Sequence, residues 1–260
     1  MKTLPFIVTA SLLLFVQTVF CQTAREISDK ASSAINLTTF EMTQTLKIID
    51  AKGNQRVRQT TSKSLKSTDS FKTLITFNSP ADVAGTSMLV YDYDKKEDDM
   101  WIYMPALRKS RRIVSSEKSQ NFMGSEFTNA DMSKPNPDEY TYKLLPSTKY
   151  DGVDCYVVEI TPLNKDVSSK MGFSKKNCYI EKSNYLTRKV EYFDATGKKV
   201  KEMVYKNYEM IDTVNKKYFA KYMEVVNLSN GRKSIITVDK INTKAQIKES
   251  DVSPAVLGAL

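Results

Sequence analysis

The chain has 260 residues, of which 41% are hydrophobic and 27% are charged, and its net charge is +9 at pH 7. This composition excludes a disordered or fibrous protein and is enough for one large domain with its own core. The sequence contains no histidine, which excludes a Ser-His-Asp or Cys-His catalytic arrangement and any histidine-ligated metal site within the chain. We therefore expect neither a metal nor a cofactor.

The N-terminal residues have the pattern of an export signal. Lys2 precedes an uncharged apolar run, residues 4–16, which is too short to span a bilayer. The pattern predicts a signal peptide at residues 1–21 and a single mature domain at residues 22–260. No later segment approaches the roughly 20 apolar residues that a membrane-spanning helix needs. We expect a soluble or peripherally attached protein in the periplasm.

Processing of this signal has two interpretations. Cleavage after Cys21 places Val19 and Cys21 at the two positions that a signal peptidase reads. The alternative makes Cys21 a lipid-anchored N-terminus, but the bulky Phe20 before it fits that pattern poorly. Removal of residues 1–21 lowers the net charge from +9 to +8, because it removes Lys2 and no acid. Such a basic excess suits anionic head groups or acidic partners, and it equally suits simple solubility.

Two cysteines remain after processing, Cys155 and Cys178, and each lies in a strand-like run. In an oxidising compartment, an even pair of cysteines is most simply a disulfide. Closing the loop between them would restrict the unfolded chain by roughly 3 to 3.5 kcal/mol in the loop-entropy treatment. The alternative is a pair of free, buried thiols. We predict the Cys155–Cys178 disulfide.

The first predicted element of the mature domain is a helix. Thr23 and Glu26 have the spacing of a capping box, and Ile27 and Ala31 follow on one helical face. The pattern then changes period, because apolar and polar residues alternate over residues 40–48. This alternation predicts a strand with one dry face and one wet face.

The rest of the chain reads as strands and turns. Residues 55–65 are polar and fit a solvated strand, Ser79-Pro80 predicts the start of a short helix, and Asn230-Gly231 is a strong hairpin signal. No βαβ alternation is present. We therefore predict an up-and-down antiparallel sheet of about ten or eleven strands, rolled into a barrel or half-barrel.

The stretch from Met100 to Phe127 combines the only tryptophan, a proline after an apolar run, and a basic cluster. Residues 101–104 are apolar on both faces of the predicted strand, so the strand is either covered on both sides or lines an apolar cavity on one side. Pro105 then directs the chain out of the sheet. The basic residues that follow suit phosphates or carboxylates, although such a run is equally typical of a solvated face.

Residues 115–136 are too many for a simple hairpin loop. This loop carries Phe122, Met123 and Phe127 in polar surroundings, and Gly124 gives its centre conformational freedom. Long loops with apolar residues are typical of lids or binding loops. The same side chains equally suit a loop that is simply pinned to the sheet.

Three segments together resemble a known family. They are DDMWIYMPALRKSRRIVSSEKSQNFMGSEFTNADM, VDCYVVEITP and CYIEKSNYLTRKVEYFDATGKKVKEM. They are similar to the outer-membrane lipoprotein-sorting family, a branch of the LolA/LolB carrier superfamily. The resemblance implies a mainly β (α+β) fold: a half-open antiparallel barrel wrapped around short helices, with an apolar cavity that shelters acyl chains. It transfers no functional role to any single arginine.

The leading hypothesis is a non-enzymatic periplasmic carrier of lipid or lipoprotein acyl chains, destined for the outer membrane. It implies peripheral contact with membranes and, as partners, an inner-membrane transporter and an outer-membrane acceptor, but no nucleic acid. The predicted acyl-chain ligands are Trp101, Tyr103, Met104, Leu107, Phe122, Met123 and Phe127. The residues predicted to contact head groups or a partner are Arg108, Arg111 and Arg112.

Two other classes of function compete with this hypothesis. One is a docking module of an envelope transporter complex, in which any cavity is vestigial. The other is an enzyme, but the acidic cluster at residues 97–99 is typical of solvated surface charge, and no nucleophile and base stand at a recognisable spacing.

Overall fold

A computed structural model describes residues 22–93 and 96–258. These residues form a 13-stranded antiparallel sheet and two α-helices, α1 (Ala24–Ala34) and α2 (Lys165–Met171). The strands are β1 (Thr39–Ile49), β2 (Gln55–Lys66), β3 (Ser70–Ser79), β4 (Ser87–Tyr93), β5 (Asp99–Met104), β6 (Lys109–Arg112), β7 (Tyr140–Tyr150), β8 (Val153–Pro162), β9 (Lys175–Glu181), β10 (Thr187–Phe193), β11 (Lys199–Asp212), β12 (Lys217–Asn227) and β13 (Lys233–Asn242). Their order in the sheet is β6-β5-β4-β3-β2-β1-β13-β12-β11-β10-β9-β8-β7, so β6 and β7 are edge strands and the sheet is not closed.

The prediction of a mainly β, antiparallel fold with short helices is confirmed. The predicted number of strands is wrong, because thirteen are present. Strand β6 was not predicted, because its four residues are all exposed and polar and so show no alternation of apolar and polar residues. The helix predicted after Ser79-Pro80 is also wrong, since residues 81–85 form a turn. The predicted signal peptide, residues 1–21, lies outside the described residues.

Helix α1 has the predicted cap. The hydroxyl of Thr23 accepts a hydrogen bond from the backbone N–H of Glu26, and the Glu26 carboxylate accepts one from the backbone N–H of Thr23. The apolar face of the helix buries Ile27 and Ala31 against the sheet. Within the described part of the chain, no helix is both long and apolar enough to cross a membrane.

The sheet has two chemically different faces. The inner face packs against α1 and against the connecting segment, residues 113–139, which joins β6 to β7. The main core lies here, and β1 contributes Phe40, Leu46 and Ile48 at alternate positions, as predicted from the alternation. The outer face is mostly polar, apart from a second and smaller apolar cluster.

Strand β5 is covered on both faces. Met100 and Ile102 point to the inner core, whereas Trp101 belongs to the outer cluster with Leu89 and Val252. The C-terminal residues 247–257, rather than α1 or α2, cover the outer face of β5. Of the two interpretations of the apolar run at residues 101–104, the structure therefore shows the strand that is covered on both sides.

The predicted disulfide between Cys155 and Cys178 is wrong, because both are free thiols. In the register of β8 and β9, Cys178 lies opposite Val158, while Cys155 lies opposite Glu181. Cys155 and Val158 are three positions apart on a regularly paired strand, so their side chains point to opposite faces. The two sulfurs therefore lie on opposite sides of the sheet, where they cannot bond.

We expect the two thiols to behave as separate, buried groups. Burial raises the pKa of both Cys155 and Cys178, which keeps the reactive thiolate scarce. Alkylation without prior reduction should label both cysteines completely in denaturant and slowly in the native protein, as measured by peptide mass spectrometry. Reductant should leave the Tm unchanged. A cross-linked peptide that contains both residues would contradict this arrangement.

Candidate functional site

The inner face holds an apolar cavity of about 280 Å³ between the central strands and the connecting segment. Six strands contribute to its wall, and the connecting segment covers it. The lining residues from the sheet are Phe40, Met42, Gln44, Leu46, Thr60, Ser62, Ser64, Phe71, Thr73, Ile75, Met203, Tyr205, Phe219, Met223 and Ile236. The connecting segment adds Phe122, Phe127, Asp131 and Met132.

Small side chains on β2 form one wall of this cavity. Thr60, Ser62 and Ser64 are buried at alternate positions of the strand, so the prediction that residues 55–65 form a solvated strand is wrong for its inner face. Ser62 donates a hydrogen bond to the side-chain oxygen of Gln44 (3.2 Å), which satisfies this hydroxyl within an apolar wall. Large side chains at these positions would fill the space. The alternating small hydroxyl residues were the sequence signal for this wall.

The aromatic rings at one end of the cavity come from three strands. The ring of Phe40 lies 6.3 Å from that of Phe71 and 6.0 Å from that of Phe219, between ring centroids. These residues lie where β1, β3 and β12 begin. We call this the Phe40 end of the sheet. The opposite end, at the turn between β12 and β13, is called the Arg232 end.

The structure brings only part of the predicted ligand set to this cavity. Phe122 and Phe127 line it and are almost fully buried, and Met123 packs beside them against the main core. The remaining four predicted acyl-chain ligands do not line it. Trp101 lies in the outer cluster, Tyr103 borders Gly258 of the C-terminal residues, Leu107 is exposed, and Met104 ends β5.

The three predicted head-group arginines lie away from the cavity lining. Arg111 and Arg112 belong to the edge strand β6, and Arg108 precedes it. Arg111 forms an ion pair with Glu117 (2.8 Å), and Arg112 pairs with Asp99 and lies over the ring of Trp101. Arg108 is exposed at the turn before β6 and has a left-handed backbone conformation, with φ of 48°. The ion pairs of Arg111 and Arg112 are therefore with neighbouring acids of the same edge.

At the Arg232 end, charged side chains of the sheet hold the connecting segment. Arg58, which is 8% exposed, donates a hydrogen bond to the backbone carbonyl of Met123. Arg232 donates to the backbone carbonyl of Gly124 (2.9 Å) and forms an ion pair with Glu126 (2.8 Å). Asn227 donates to the same carboxylate (2.9 Å). Burial lowers the pKa of the Arg58 guanidinium from its usual value, and the nearby charge of Arg56 acts in the same direction.

At the other side of the cavity, acidic residues of the sheet edge hold the segment. The carboxylate of Asp98 forms an ion pair with Lys118 (2.9 Å), in which both side chains are largely buried. Asp92, at the end of β4, accepts a hydrogen bond from the backbone N–H of Lys134 (2.9 Å). A further ion pair joins Asp131 to Lys201 of β11 (3.4 Å).

Asp92 is the group in this arrangement whose titration is most strongly displaced. Burial, and after it the adjacent charge of Asp98, together raise the pKa of Asp92 to about 7. The hydrogen bond from the backbone N–H of Lys134 acts in the opposite direction but does not cancel these effects. Near neutral pH, the Asp92 carboxyl therefore changes charge while it holds the connecting segment.

We predict that this titration makes the protein less stable as the pH rises. Between about pH 4 and pH 7, the folded state holds a proton on Asp92 that the unfolded state has lost. The stabilisation is complete below the unfolded pKa and disappears as the pH rises through about 7. The free energy of unfolding should fall by up to about 1.4 kcal/mol per pH unit in this interval.

Denaturant unfolding of the wild type and of Asp92→Asn across this interval measures the effect. The asparagine retains an acceptor for Lys134 but cannot ionise, so its profile should be flatter. Asp154→Asn is the matched control, because Asp154 is exposed near the start of β8, and its profile should follow that of the wild type. Parallel profiles for the wild type and Asp92→Asn would contradict the prediction.

The site has the character of a binding cavity. Its wall is apolar, and its polar groups form hydrogen bonds within the wall or hold the connecting segment. Among residues 22–93 and 96–258, no group of three or more His, Cys, Asp or Glu is arranged to hold a metal ion. Such a cavity can hold a flexible apolar chain by excluding it from water.

Comparisons with known proteins place this geometry in a family. A family model with the description Uncharacterized protein-like matches residues 69–258. A search of curated proteins found no match. A solved domain from Vibrio parahaemolyticus, described as an outer membrane lipoprotein-sorting protein, is 29% identical with a TM-score of 0.82, and the match covers 90% of this chain and 98% of that one.

Two further solved structures are similar. A DUF1329 family protein from Desulfovibrio piger is 25% identical with a TM-score of 0.82, over 90% of this chain and 97% of that one. A LolA superfamily protein from Nitrosomonas europaea is 19% identical with a TM-score of 0.70, over 91% of this chain and 100% of that one, which shows the shared fold alone. The chain therefore belongs to the family whose model matches residues 69–258, and it shares the fold of the LolA superfamily protein.

Proposed function

We propose that this protein is a non-enzymatic periplasmic carrier, which shelters the acyl chains of a lipid or lipoprotein for transfer to the outer membrane. The observation that carries the proposal is the apolar cavity on the inner face, together with the segment that covers it. The Vibrio parahaemolyticus relative is described as a lipoprotein-sorting protein, which supports the same class of cargo.

A carrier of this kind answers an energetic problem. At about 0.8 kcal/mol for each CH₂ group, bringing an acyl chain of about sixteen carbons into water costs on the order of 12 kcal/mol. Spontaneous transfer between membranes would be very slow at that cost. An apolar cavity that offsets most of this free energy makes transfer feasible, whereas a cavity that bound far better than the destination membrane would retain the cargo.

The dimensions of the cavity imply that the cover moves. A volume of about 280 Å³ lies just below the roughly 300–1,000 Å³ of typical small-ligand sites, so the observed space holds one short apolar group. A long chain needs the connecting segment to move outward. That segment is held by side-chain contacts from Arg58, Arg232 and Asp92 and by its buried apolar residues rather than by pairing with a strand of the sheet, so it can open while the sheet stays intact.

Filling the cavity tests this proposal. Ser62→Leu places a branched apolar side chain in the cavity wall, where it occupies the volume of about two CH₂ groups of the cargo. We expect the Kd of a fluorescent fatty acid to rise about tenfold to twentyfold. Thr61→Leu is the matched control, because this neighbour on β2 points to the outer face and should leave the Kd unchanged.

Trp101→Phe adds a second control on the outer face. Because Trp101 lies in the outer cluster, its replacement should not affect binding of the probe. Absence of probe binding to the wild type, or equal loss in Ser62→Leu and Thr61→Leu, would contradict the carrier function. Lipid that co-purifies with the wild type and is reduced in Ser62→Leu, measured by mass spectrometry, would support it independently.

Releasing the cover should change the rate of binding. In Arg58→Ala combined with Arg232→Ala, the carbonyls of Met123 and Gly124 lose their side-chain donors. We expect stopped-flow mixing to show the fluorescent fatty acid entering at least about fivefold faster, which corresponds to a loss of about one hydrogen bond from the closed state. Arg56→Ala, at an exposed position of the same strand, should keep the wild-type rate. Equal rates in all three proteins would exclude the connecting segment as a barrier.

A further inference from the structure

The turn between β11 and β12 presents an unusually exposed apolar residue. Val214 is 88% exposed, whereas the other large hydrophobic residues on the described surface are 37–59% exposed. Isolated apolar residues on a protein surface are ordinary, but they usually rest partly on their neighbours. Val214 instead stands at the tip of a long hairpin.

The turn is built to hold this residue outward. The carboxylate of Asp212 accepts hydrogen bonds from the backbone N–H groups of Val214 (3.0 Å) and Asn215 (2.9 Å), and from the side-chain amide of Asn215 (2.7 Å). Lys217 ties the hairpin to the end of α1 by donating to the backbone carbonyl of Ser33 (2.8 Å). The position of Val214 is therefore fixed relative to the rest of the fold.

This hairpin stands at the Phe40 end of the sheet. Phe219, which lines the cavity, lies two residues after Lys217 on β12. Ile35, at the end of α1, is 42% exposed on the same side of the molecule, next to the helix end that Lys217 contacts. The apolar residues outside the cavity are thus close to the aromatic rings within it.

Several lysines lie at this end of the sheet. Lys216 is exposed in the turn, and Lys66 ends β2 at the same end of the sheet, with β1 and β13 between β2 and β12. The ammonium group of Lys134 lies 4.0 Å from the centroid of the Phe71 ring. The acids at this end are engaged by neighbouring groups. Asp212 is engaged by the turn, and Asp69 accepts a hydrogen bond from Ser70. Glu249 accepts one from Ser67 (2.6 Å) and forms an ion pair with Lys72 (2.5 Å), and Asp92 accepts one from the backbone N–H of Lys134. Ammonium groups around a protruding apolar side chain are complementary to an anionic lipid surface.

We infer that the Phe40 end of the sheet docks on an anionic bilayer, with Val214 entering the boundary between head groups and acyl chains and the lysines contacting phosphates. This orientation sets the aromatic end of the cavity against the lipid. An acyl chain then moves between bilayer and cavity without crossing water, a consequence that rests on the proposed carrier function. The docking surface is separate from the arginines beside β6.

Co-sedimentation with vesicles tests the inference. The vesicles contain phosphatidylcholine and phosphatidylglycerol in equal parts, and the purified protein is compared with Val214→Asp, Lys216→Glu and Leu228→Asp. Leu228 is the matched control, because it is exposed at the turn at the opposite end of β12. We expect Val214→Asp to weaken vesicle binding about tenfold or more and Leu228→Asp to leave it unchanged. Lys216→Glu should weaken binding and reduce its dependence on salt.

The outcomes separate this inference from the carrier function. Fluorescent fatty acid binding should be unchanged in Val214→Asp, so loss of vesicle binding alone identifies the docking surface. Failure of the wild type to bind the fatty acid would overturn the carrier function and leave the docking result standing. Wild-type protein that does not bind the vesicles, equal effects of Val214→Asp and Leu228→Asp, or Val214-dependent binding only to an envelope protein would overturn the inference.

Discussion

The connecting segment lies on an apolar face without becoming a strand, and this imposes the main physical constraint on the fold. A buried backbone group without a hydrogen bond costs free energy, so the segment needs partners that a neighbouring strand would otherwise supply. Backbone hydrogen bonds within the segment supply many of these partners, and side chains from the sheet supply others. Arg58 and Arg232 donate to backbone carbonyls, while Ser234 and Asp92 accept from backbone N–H groups. The buried charges on the inner face therefore serve to hold this segment.

The same constraint explains why a cavity exists beneath the segment. Side-chain partners hold the segment at a few points along its length, while the apolar residues between those points need not pack as closely as paired strands do. Phe122 and Phe127 fill part of the space, and Ser62 and Ser64 opposite them are too small to fill the remainder. The result is a sheet held by strand pairing, with a cover held by side-chain hydrogen bonds and apolar contacts.

The sequence predicted which residues form strands better than it predicted what each face of a strand packs against. On β1, alternation of apolar and polar residues indicated the buried face correctly, because only one face is dry. On β5, residues on both faces are apolar, so alternation carries no information about which face meets the cavity. The face of Trp101 depends on the C-terminal residues, whose short 3-10 turns leave no periodic signal. Family resemblance indicated the cavity but could not specify its lining.

Register also explains the error in the cysteine pair. Cys155 and Cys178 lie on adjacent strands, and the sequence can predict that the two strands are neighbours. Whether the two sulfurs share a face depends on the parity of their offset, which is set by the exact pairing of β8 with β9. A shift of one residue would place both on one face. Local sequence does not encode that shift, because it follows from packing across the whole sheet.

The two ends of the cavity differ in chemistry, so an elongated ligand would meet different groups at each end. At the Arg232 end, Glu126, Asn227 and Arg232 surround the connecting segment with charged and amide groups. At the Phe40 end, the cavity is bounded by aromatic rings, which offer an acyl chain an apolar contact surface. On the proposed carrier function, an acyl chain would lie with its hydrocarbon portion among the central strands and its polar group near the Phe40 end. The contacts that hold the cover at the Arg232 end are then remote from the head group, so chain length and head-group chemistry act on different parts of the site.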